Sequence, residues 1–463
     1  MPGVTEFDLV VRNANAVTVG GRTLTDIGVK NGVIVQMGGD MIAPRELDVA
    51  DRIVTPGGVD AHTHLTDPIR GNKDFHWSDD FESGTQAAVA GGITTIGNMS
   101  FPPSGGTLID GIALDDTEAR ALAVTDYFFH PVLMQATKEN LACIAPLHKD
   151  GHTSIKFFLS FNNFDKNVRE FLNAMRTTRE HGGIALIHCE DAAIMDCCCT
   201  MLREAGQTDP RFYPDTRPVQ SEVVATHRAV GFAETTGCPS YVVHLASARA
   251  LEACHDGRRR GVPIYVETRP IYLHLTRQRF EQEDGAKYAG APPLREQSDV
   301  DALWAGLQFG NIDTLATDHA PWMLAEKLDP AFDATNLRQG VADLETCMPM
   351  LYSAGVLTGR ISMEQFVAVT STNPSKLFGL YPQKGTIAVG SDADLVVWDD
   401  EETRTVDGAS MYSRSDYSPY DGFEVRGWPK WTLSRGEVVL QDGEVIGKKG
   451  RGRLVRRGPH RSI

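Results

Sequence analysis

Eight apolar, strand-like runs, separated by longer segments of helical character, are the feature that most limits how this chain can fold. The runs are continuous rather than alternating, which is typical of parallel strands buried on both faces. Intervening segments such as 168–180 and 222–235 have helical character. Eight strand–helix units predict an α/β fold with a (β/α)8 TIM barrel over residues 55–380. The eight runs are 56–62, 94–99, 125–133, 153–160, 184–190, 240–247, 263–270 and 314–321.

Both ends of the chain have a residue pattern that differs from that of the middle. Short apolar runs there are separated by Gly, Asn and Asp turn residues, a pattern that indicates strands joined by tight turns. Two β-rich ends that flank a barrel indicate one discontinuous domain whose halves meet in space. We therefore expect residues 1–54 and 381–447 to form a second domain.

Charge is distributed unevenly along the 463 residues. The formal net charge is −16, yet residues 448–463 contain seven Lys or Arg and no acidic residue. An acidic body repels phosphate backbones, which argues against nucleic acid as a partner. We expect the basic tail to wrap back onto the acidic body or onto a neighbouring subunit, and binding of the tail to RNA or a membrane is the alternative.

Cysteine usage and apolar runs predict a cytoplasmic protein. No apolar run approaches the roughly 20 residues that cross a bilayer, so no membrane partner is expected. The first residues lack the basic and apolar segments of a secretory signal. The eight cysteines form no CxxC pair, and we interpret them as reduced thiols.

Several metal-ligand residue types occur where predicted strands end. His62 and His64 are two positions apart at the end of the first strand, so both imidazoles can face one metal ion. His188, His244 and Asp318 occur at or near the ends of the fifth, sixth and eighth strands. Barrel active sites lie at the C-terminal ends of strands, so these five side chains are expected to converge at one mouth.

Lys156 lies within the apolar run 153–160, where a free ammonium group is costly to bury. One interpretation is a lysine that pairs with a nearby carboxylate or extends to the barrel mouth. The other is a carbamylated lysine (N6-carboxylysine), formed with CO2, whose carboxylate bridges two metal ions. The residues alone leave both interpretations open.

Six segments together resemble the cyclic amidohydrolases, specifically the hydantoinases and dihydropyrimidinases, and the resemblance covers almost the whole chain. It includes the Lys156 run and the segments 59–65 (VDAHTHL), 79–85 (DDFESGT), 91–95 (GGITT), 291–295 (APPLR) and 384–394 (KGTIAVGSDAD). The resemblance implies a metal-dependent barrel with a β-sandwich built from both chain ends. It also implies a homo-oligomer, with a tetramer favoured.

The resemblance further implies a binuclear metal site. His62, His64 and Asp318 would hold one divalent ion, His188 and His244 the other, and carboxylated Lys156 would bridge them. Zinc suits this ligand set best, and manganese, cobalt or iron would fit nearly as well. A hydroxide between the ions would attack a cyclic amide, and Asp318 would pass the proton to the ring nitrogen. The expected product is an N-carbamoyl amino acid.

Three predicted substrate-binding positions differ from the family pattern. Phe161 stands where a Tyr hydroxyl usually supports the developing oxyanion, and Ala291 replaces a common Ser. A loop position that is usually Asn falls near Gln339 or Gly340. Dihydroorotases carry an Arg two residues after the second histidine, and Thr66 at that position makes dihydroorotate a poor candidate.

These differences define the alternatives. The main hypothesis is hydrolysis of a hydantoin or dihydropyrimidine ring. An allantoinase-like or cyclic imide hydrolase is a related alternative that Phe161 and Ala291 allow. A non-catalytic scaffold like the dihydropyrimidinase-related proteins is an alternative of another class, and the complete set of candidate metal ligands argues against it.

Overall fold

The structure is a computed structural model that describes residues 7–66 and 76–463. Its β-strands are β1 (Leu9–Thr18), β2 (Gly21–Lys30), β3 (Val33–Met37), β4 (Glu46–Asp48), β5 (Ile53–Pro56), β6 (Gly58–Thr63), β7 (Ile93–Ser100), β8 (Asp126–Pro131), β9 (Ser154–Phe158), β10 (Ile184–His188), β11 (Ser240–Val242), β12 (Ile264–Thr268), β13 (Thr314–Leu315), β14 (Leu395–Thr405), β15 (Glu424–Ser434), β16 (Glu437–Gln441) and β17 (Glu444–Val445).

Its α-helices are α1 (Phe81–Ala90), α2 (Leu108–Leu122), α3 (Lys138–Lys149), α4 (Asn162–Lys166), α5 (Val168–Glu180), α6 (Ala192–Glu204), α7 (Tyr213–Thr216), α8 (Val219–Thr236), α9 (Ala248–Arg259), α10 (Pro270–His274), α11 (Gln297–Gln308), α12 (Leu324–Lys327), α13 (Leu344–Leu351), α14 (Met363–Val367) and α15 (Asn373–Leu377). Within the described residues, no helix has the length and apolar character that crossing a membrane requires.

Strands β6 to β13 form the predicted barrel. They pair in parallel in the orders β6-β7-β8 and β9-β10-β11-β12-β13. Single parallel bridges join the two sheets, Val132 with Lys156 on one side and Thr63 with His319 on the other. The (β/α)8 barrel is therefore confirmed, and both joints lie beside predicted site residues.

Two predicted strands are shorter than the apolar runs suggested. The continuous strands in the runs 240–247 and 314–321 end at Val242 and Leu315, and the bridge from His319 to Thr63 is isolated from them. His244 and Asp318 have positive φ angles of 41° and 49°, a left-handed conformation that leaves the ladder of backbone hydrogen bonds. The strand geometry therefore ends just before the residues whose side chains enter the site.

The two chain ends meet in one nine-stranded sheet, as predicted. Strand β5 from the first end pairs antiparallel with β14 from the last, with Thr55 opposite Val396. Apolar side chains from β1, β2, β14 and β15 share one core, and a bridge from Val33 to Asp392 links the outer strand β3 back to the segment before β14. The limits 1–54, 381–447 and 55–380 remain predictions.

The basic tail packs against the barrel. Tyr127 in β8 donates its backbone N–H to Arg453 and accepts one from Val455, at 3.0 and 2.8 Å. Arg451 pairs with Glu437 at 3.0 Å, and the Arg457 side chain is buried. The tail thus wraps onto the body of the chain, as the charge distribution indicated.

A buried ammonium group connects the barrel to the sheet. Lys384 Nζ lies 2.6 Å from Asp126 in β8, 2.9 Å from Asp392 and 2.7 Å from Asp394. Removing one partner of a buried ion cluster leaves uncompensated charge. We expect Lys384→Met to lower the free energy of unfolding by about 3–5 kcal/mol.

Urea denaturation followed by circular dichroism measures this effect. The control is Lys430→Met, which removes the partly exposed pair with Asp442 and is expected to cost at most about 1 kcal/mol. Equal effects of the two substitutions would contradict the prediction.

Candidate metal centre and substrate cavity

A cavity of about 460 Å³ opens where the barrel strands end. All ten predicted site residues line it, although they come from positions as far apart in sequence as 62 and 340. They are His62, His64, Lys156, Phe161, His188, His244, Ala291, Asp318, Gln339 and Gly340. Convergence at the C-terminal ends of the strands is the arrangement in which barrel enzymes carry their active sites.

His62, His64 and Asp318 face one another at the base of the cavity. Asp318 Oδ1 lies 3.1 Å from His62 Nε2 and 2.9 Å from His64 Nε2. One ligand atom from each residue lies within 4.8 Å of the others. Two imidazole nitrogens and a carboxylate oxygen directed at one point are a donor set that suits a divalent metal ion.

One buried carboxylate contacts the ring of His62 and the backbone of His244. Glu267 Oε1 lies 2.8 Å from Nδ1 of His62 and accepts the backbone N–H of His244 at 2.7 Å. The contact leaves Nε2 of His62 to face Asp318, which is the way carboxylates orient metal-binding imidazoles. Burial raises the pKa of Glu267 to about 7.

His188 and His244 form a second group beside the first. Their ring centroids are 4.5 Å apart, and the His244 ring is 5.4 Å from that of His62. Glu190 Oε2 lies 2.7 Å from Nε2 of His188, and Arg217 Nε donates to Glu190 Oε1 at 2.9 Å. Nδ1 of His244 is buried and has no hydrogen-bond partner among the described residues.

Lys156 lies between the two groups. Its Nζ is 3.4 Å from Nε2 of His62 and 4.8 Å from the Phe158 ring centroid, and the side chain is fully buried. Within residues 7–66 and 76–463 no carboxylate is close enough to form an ion pair with it. Burial lowers the pKa of Lys156 to about 8. Lys156 is thus a buried amine in the cavity lining, with Asp318 and Glu267 as the carboxylates whose charges act on it.

Asp318 is held from its other side by an arginine. Arg269 Nη1 donates to Asp318 Oδ2 at 3.0 Å, and Nη2 donates to Asp343 at 3.3 Å. Burial by itself would raise the pKa of Asp318, but His62 and Arg269 outweigh it and hold that pKa well below the usual range. Asp318 is therefore a carboxylate at neutral pH, with Oδ1 directed at the histidines.

The predicted substrate-binding residues surround the opening. Phe161 lies just before α4, is 46% exposed, and packs against Phe158 with ring centroids 5.4 Å apart. The predicted strand 153–160 ends at Phe158, so Phe161 belongs to the loop that follows. Trp322 Nε1 donates to the carbonyl of Gln339 at 2.8 Å, which fixes that backbone segment.

A buried lysine ties two cavity segments together. Lys327 Nζ donates to the carbonyl oxygens of Ala289, Arg338 and Gly340 at 2.7, 2.6 and 2.9 Å. Gly340 also donates its backbone N–H to Ala289 at 3.0 Å. These bonds hold the segment before Ala291 against the segment that contains Gln339 and Gly340.

Sequence reasoning missed the residues that support the predicted ligands. Glu190 ends the predicted run 184–190, and Glu267 and Arg269 lie in the second half of the run 263–270. Their position near the C-terminal ends of barrel strands is the signal that could have found them. Lys327 lies outside any such pattern. His319, the neighbour of Asp318 in sequence, has partners at both ring nitrogens, Asp79 at 2.8 Å and the backbone N–H of Asp343 at 3.1 Å.

Comparisons with known proteins agree with one another. The sequence matches the amidohydrolase family over residues 53–195 and 227–439. It is 37% identical over 458 residues to D-phenylhydantoinase from Escherichia coli O1:K1, covering 97% of this chain and 98% of that protein. The structure resembles D-hydantoinase (dihydropyrimidinase) from Thermus sp., with a TM-score of 0.93, 34% identity and coverage of 97% of this chain and 99% of that one. L-hydantoinase (dihydropyrimidinase) from Arthrobacter aurescens gives a TM-score of 0.90 at 32% identity, with coverage of 97% and 100%.

Proposed function

Because this chain belongs to the amidohydrolase family, we propose that it hydrolyses the cyclic amide bond of a hydantoin or dihydropyrimidine to an N-carbamoyl amino acid. One observation carries the proposal. The six residues that the family resemblance marks as metal ligands line a single cavity, in a chain that matches hydantoinases along nearly its full length. The same observation argues against a non-catalytic scaffold.

The donor groups support two divalent ions per chain. His62, His64 and Asp318 would hold one ion, His188 and His244 the other, and Lys156, as N6-carboxylysine, would bridge them. Imidazole and carboxylate donors suit zinc, and zinc is the metal we propose. Bound divalent ions acidify water and polarise amide carbonyls.

Asp318 is the residue we assign to proton transfer. Its ionised carboxylate can accept the proton that water loses as the amide carbon is attacked. Arg269 occupies Oδ2 and leaves Oδ1 facing the cavity. Delivery of the proton to the departing ring nitrogen then completes the hydrolysis, with the water oxygen on the new carboxylate and the water hydrogen on nitrogen.

Aromatic walls suit a small planar ring. Trp77, Phe101, Phe158 and Phe332 all line the cavity. Apolar lining with a few convergent polar groups is typical of small-molecule sites, and exclusion of water strengthens the electrostatic interactions inside. The Phe161 side chain has no hydroxyl to stabilise an oxyanion, and this specific difference from the family pattern allows allantoin or a cyclic imide as the second candidate substrate.

Assembly and location follow the same resemblance. We propose a homotetramer in the cytoplasm. The free thiols of all eight cysteines support the location, and light scattering of the purified chain tests the assembly.

The decisive experiment is a ring-opening assay on the full chain, loaded with zinc in the presence of bicarbonate. The panel contains dihydrouracil, both enantiomers of a 5-substituted hydantoin, allantoin, dihydroorotate and succinimide. We expect turnover of a hydantoin or dihydrouracil. Turnover of allantoin or succinimide alone would select the second candidate. Absence of turnover on every compound, in a chain that has two metal ions bound, would overturn the proposal.

A further inference from the structure

Arg338 lies in the wall of the same cavity and has an unusual environment for a guanidinium group. Its Cζ is 4.7 Å from the ring centroid of Trp322 and 4.6 Å from that of Phe332. Its Nε is buried without a hydrogen-bond partner. Across the part of the chain that the structure describes, no acidic side chain pairs with it.

The other arginines around the site are neutralised. Arg269 binds Asp318 and Asp343, and Arg217 binds Glu190. Among the described residues that line the cavity, Arg338 is the one charged side chain outside the proposed metal site. An unpaired cation beside aromatic rings loses part of its hydration, and an anionic ligand would restore the lost hydrogen bonds.

Arg338 is also held in place from both ends. Lys327 binds its backbone carbonyl at 2.6 Å, and Trp322 binds the carbonyl of the next residue, Gln339, at 2.8 Å. The two aromatic rings contact the guanidinium itself. A planar guanidinium in a fixed position is well suited to bidentate binding of a carboxylate.

We propose that Arg338 binds a carboxylate on the substituent of the cyclic amide. The substrate class is a hydantoin or dihydropyrimidine that carries an acidic side chain, of which hydantoin-5-acetic acid is the simplest probe. The inference rests on the proposed function, because it names the substrate of that same cavity. It differs from a dihydroorotase arrangement, in which the cation follows the second histidine at the position of Thr66 here.

The test compares matched substrates on the zinc-loaded full chain. Hydantoin-5-acetic acid and its primary amide have nearly the same shape and differ in charge. We expect the wild-type chain to prefer the acid, with a KM about 10- to 100-fold lower than that for the amide, the range given by hydrogen bonds to a charged group. This comparison needs no variant and so does not depend on how a variant folds.

Variants assign the preference to Arg338. Arg338→Gln is expected to raise KM for the acid about 10- to 100-fold, with kcat nearly unchanged and the amide unaffected. Arg338→Lys should retain part of the preference. The control is Arg260→Gln, which removes an exposed arginine paired with Glu234 and should change neither substrate.

The outcomes separate the inference from the function. Turnover of neutral hydantoins without a preference for the acid, or an equal effect of Arg338→Gln on acid and amide, would overturn the inference and leave the proposed function standing. Absence of turnover on both probes and on every compound of the ring-opening panel would overturn the proposed function and the inference together.

Discussion

Lys156→Ala will remove ring-opening activity, with a fall in kcat/KM of about 10³-fold or more, because metal ions contribute several kcal/mol of charge stabilisation. The lysine lies between the two histidine groups with its Nζ 3.4 Å from His62. Without a bridging carboxylate, the two sites have too few anionic donors to hold two dications close together. We therefore expect fewer than two zinc ions per chain in the variant, as measured by inductively coupled plasma mass spectrometry.

Three further observations make this prediction specific. Intact-protein mass spectrometry of the wild type under native conditions should show the added mass of one CO2. Reloading the stripped chain with zinc should require bicarbonate, since burial lowers the pKa of Lys156 to about 8 and leaves a usable fraction of neutral amine to react with CO2. Short carboxylic acids should partly restore the alanine variant. An alanine variant that keeps both metal ions and full activity would refute the carboxylysine proposal. Lys166→Ala serves as the control and should keep the metal content and activity of the wild type.

Asp318→Asn has the second large expected effect. The substitution keeps the side-chain shape but removes the charge that accepts a proton, and general acid–base catalysis contributes about 10²–10⁴-fold. We expect kcat to fall by about that factor. Zinc content should stay near two per chain at saturating zinc, because the four candidate histidines, Lys156 and the amide oxygen all remain.

The separation of metal content from turnover is what tests the role of Asp318. A fall in both quantities together would mean that the residue acts only as a ligand. Activity within tenfold of the wild type with two ions bound would refute the proton-transfer assignment. Asp442→Asn is the matched control, since Asp442 is an exposed aspartate that pairs with Lys430 and does not line the cavity.

The sequence predicted the candidate metal ligands better than the residues that hold those ligands in place. His62 and His64 could be placed because strand geometry puts positions i and i+2 on one face, and His188 because barrel strands end at a common mouth. The left-handed backbone at His244 and Asp318 could not be predicted, since neither residue is a glycine and the apolar runs continue past them.

The supporting contacts depend on tertiary structure. Glu267 reaches His62 across 205 positions of sequence, and Lys327 binds carbonyl groups in two separate segments. Every residue has a backbone carbonyl, so the sequence does not show which carbonyl groups a buried lysine will bind. The environment of Arg338 is of the same kind, because its lack of an acidic partner is visible only once the chain is folded.

The joint between β5 and β14 has a consequence for biosynthesis. Thr55 and Trp398, which hydrogen-bond across this joint, are 343 positions apart in sequence. A ribosome adds about 5–20 residues per second, so the strands made first wait about 20–70 s before the segment that completes their sheet emerges. During that interval β5 has an open edge, the kind of surface that captures other chains. Nascent chains of this protein will therefore be most prone to aggregation late in translation, after the barrel segments have emerged and before β14 has been made.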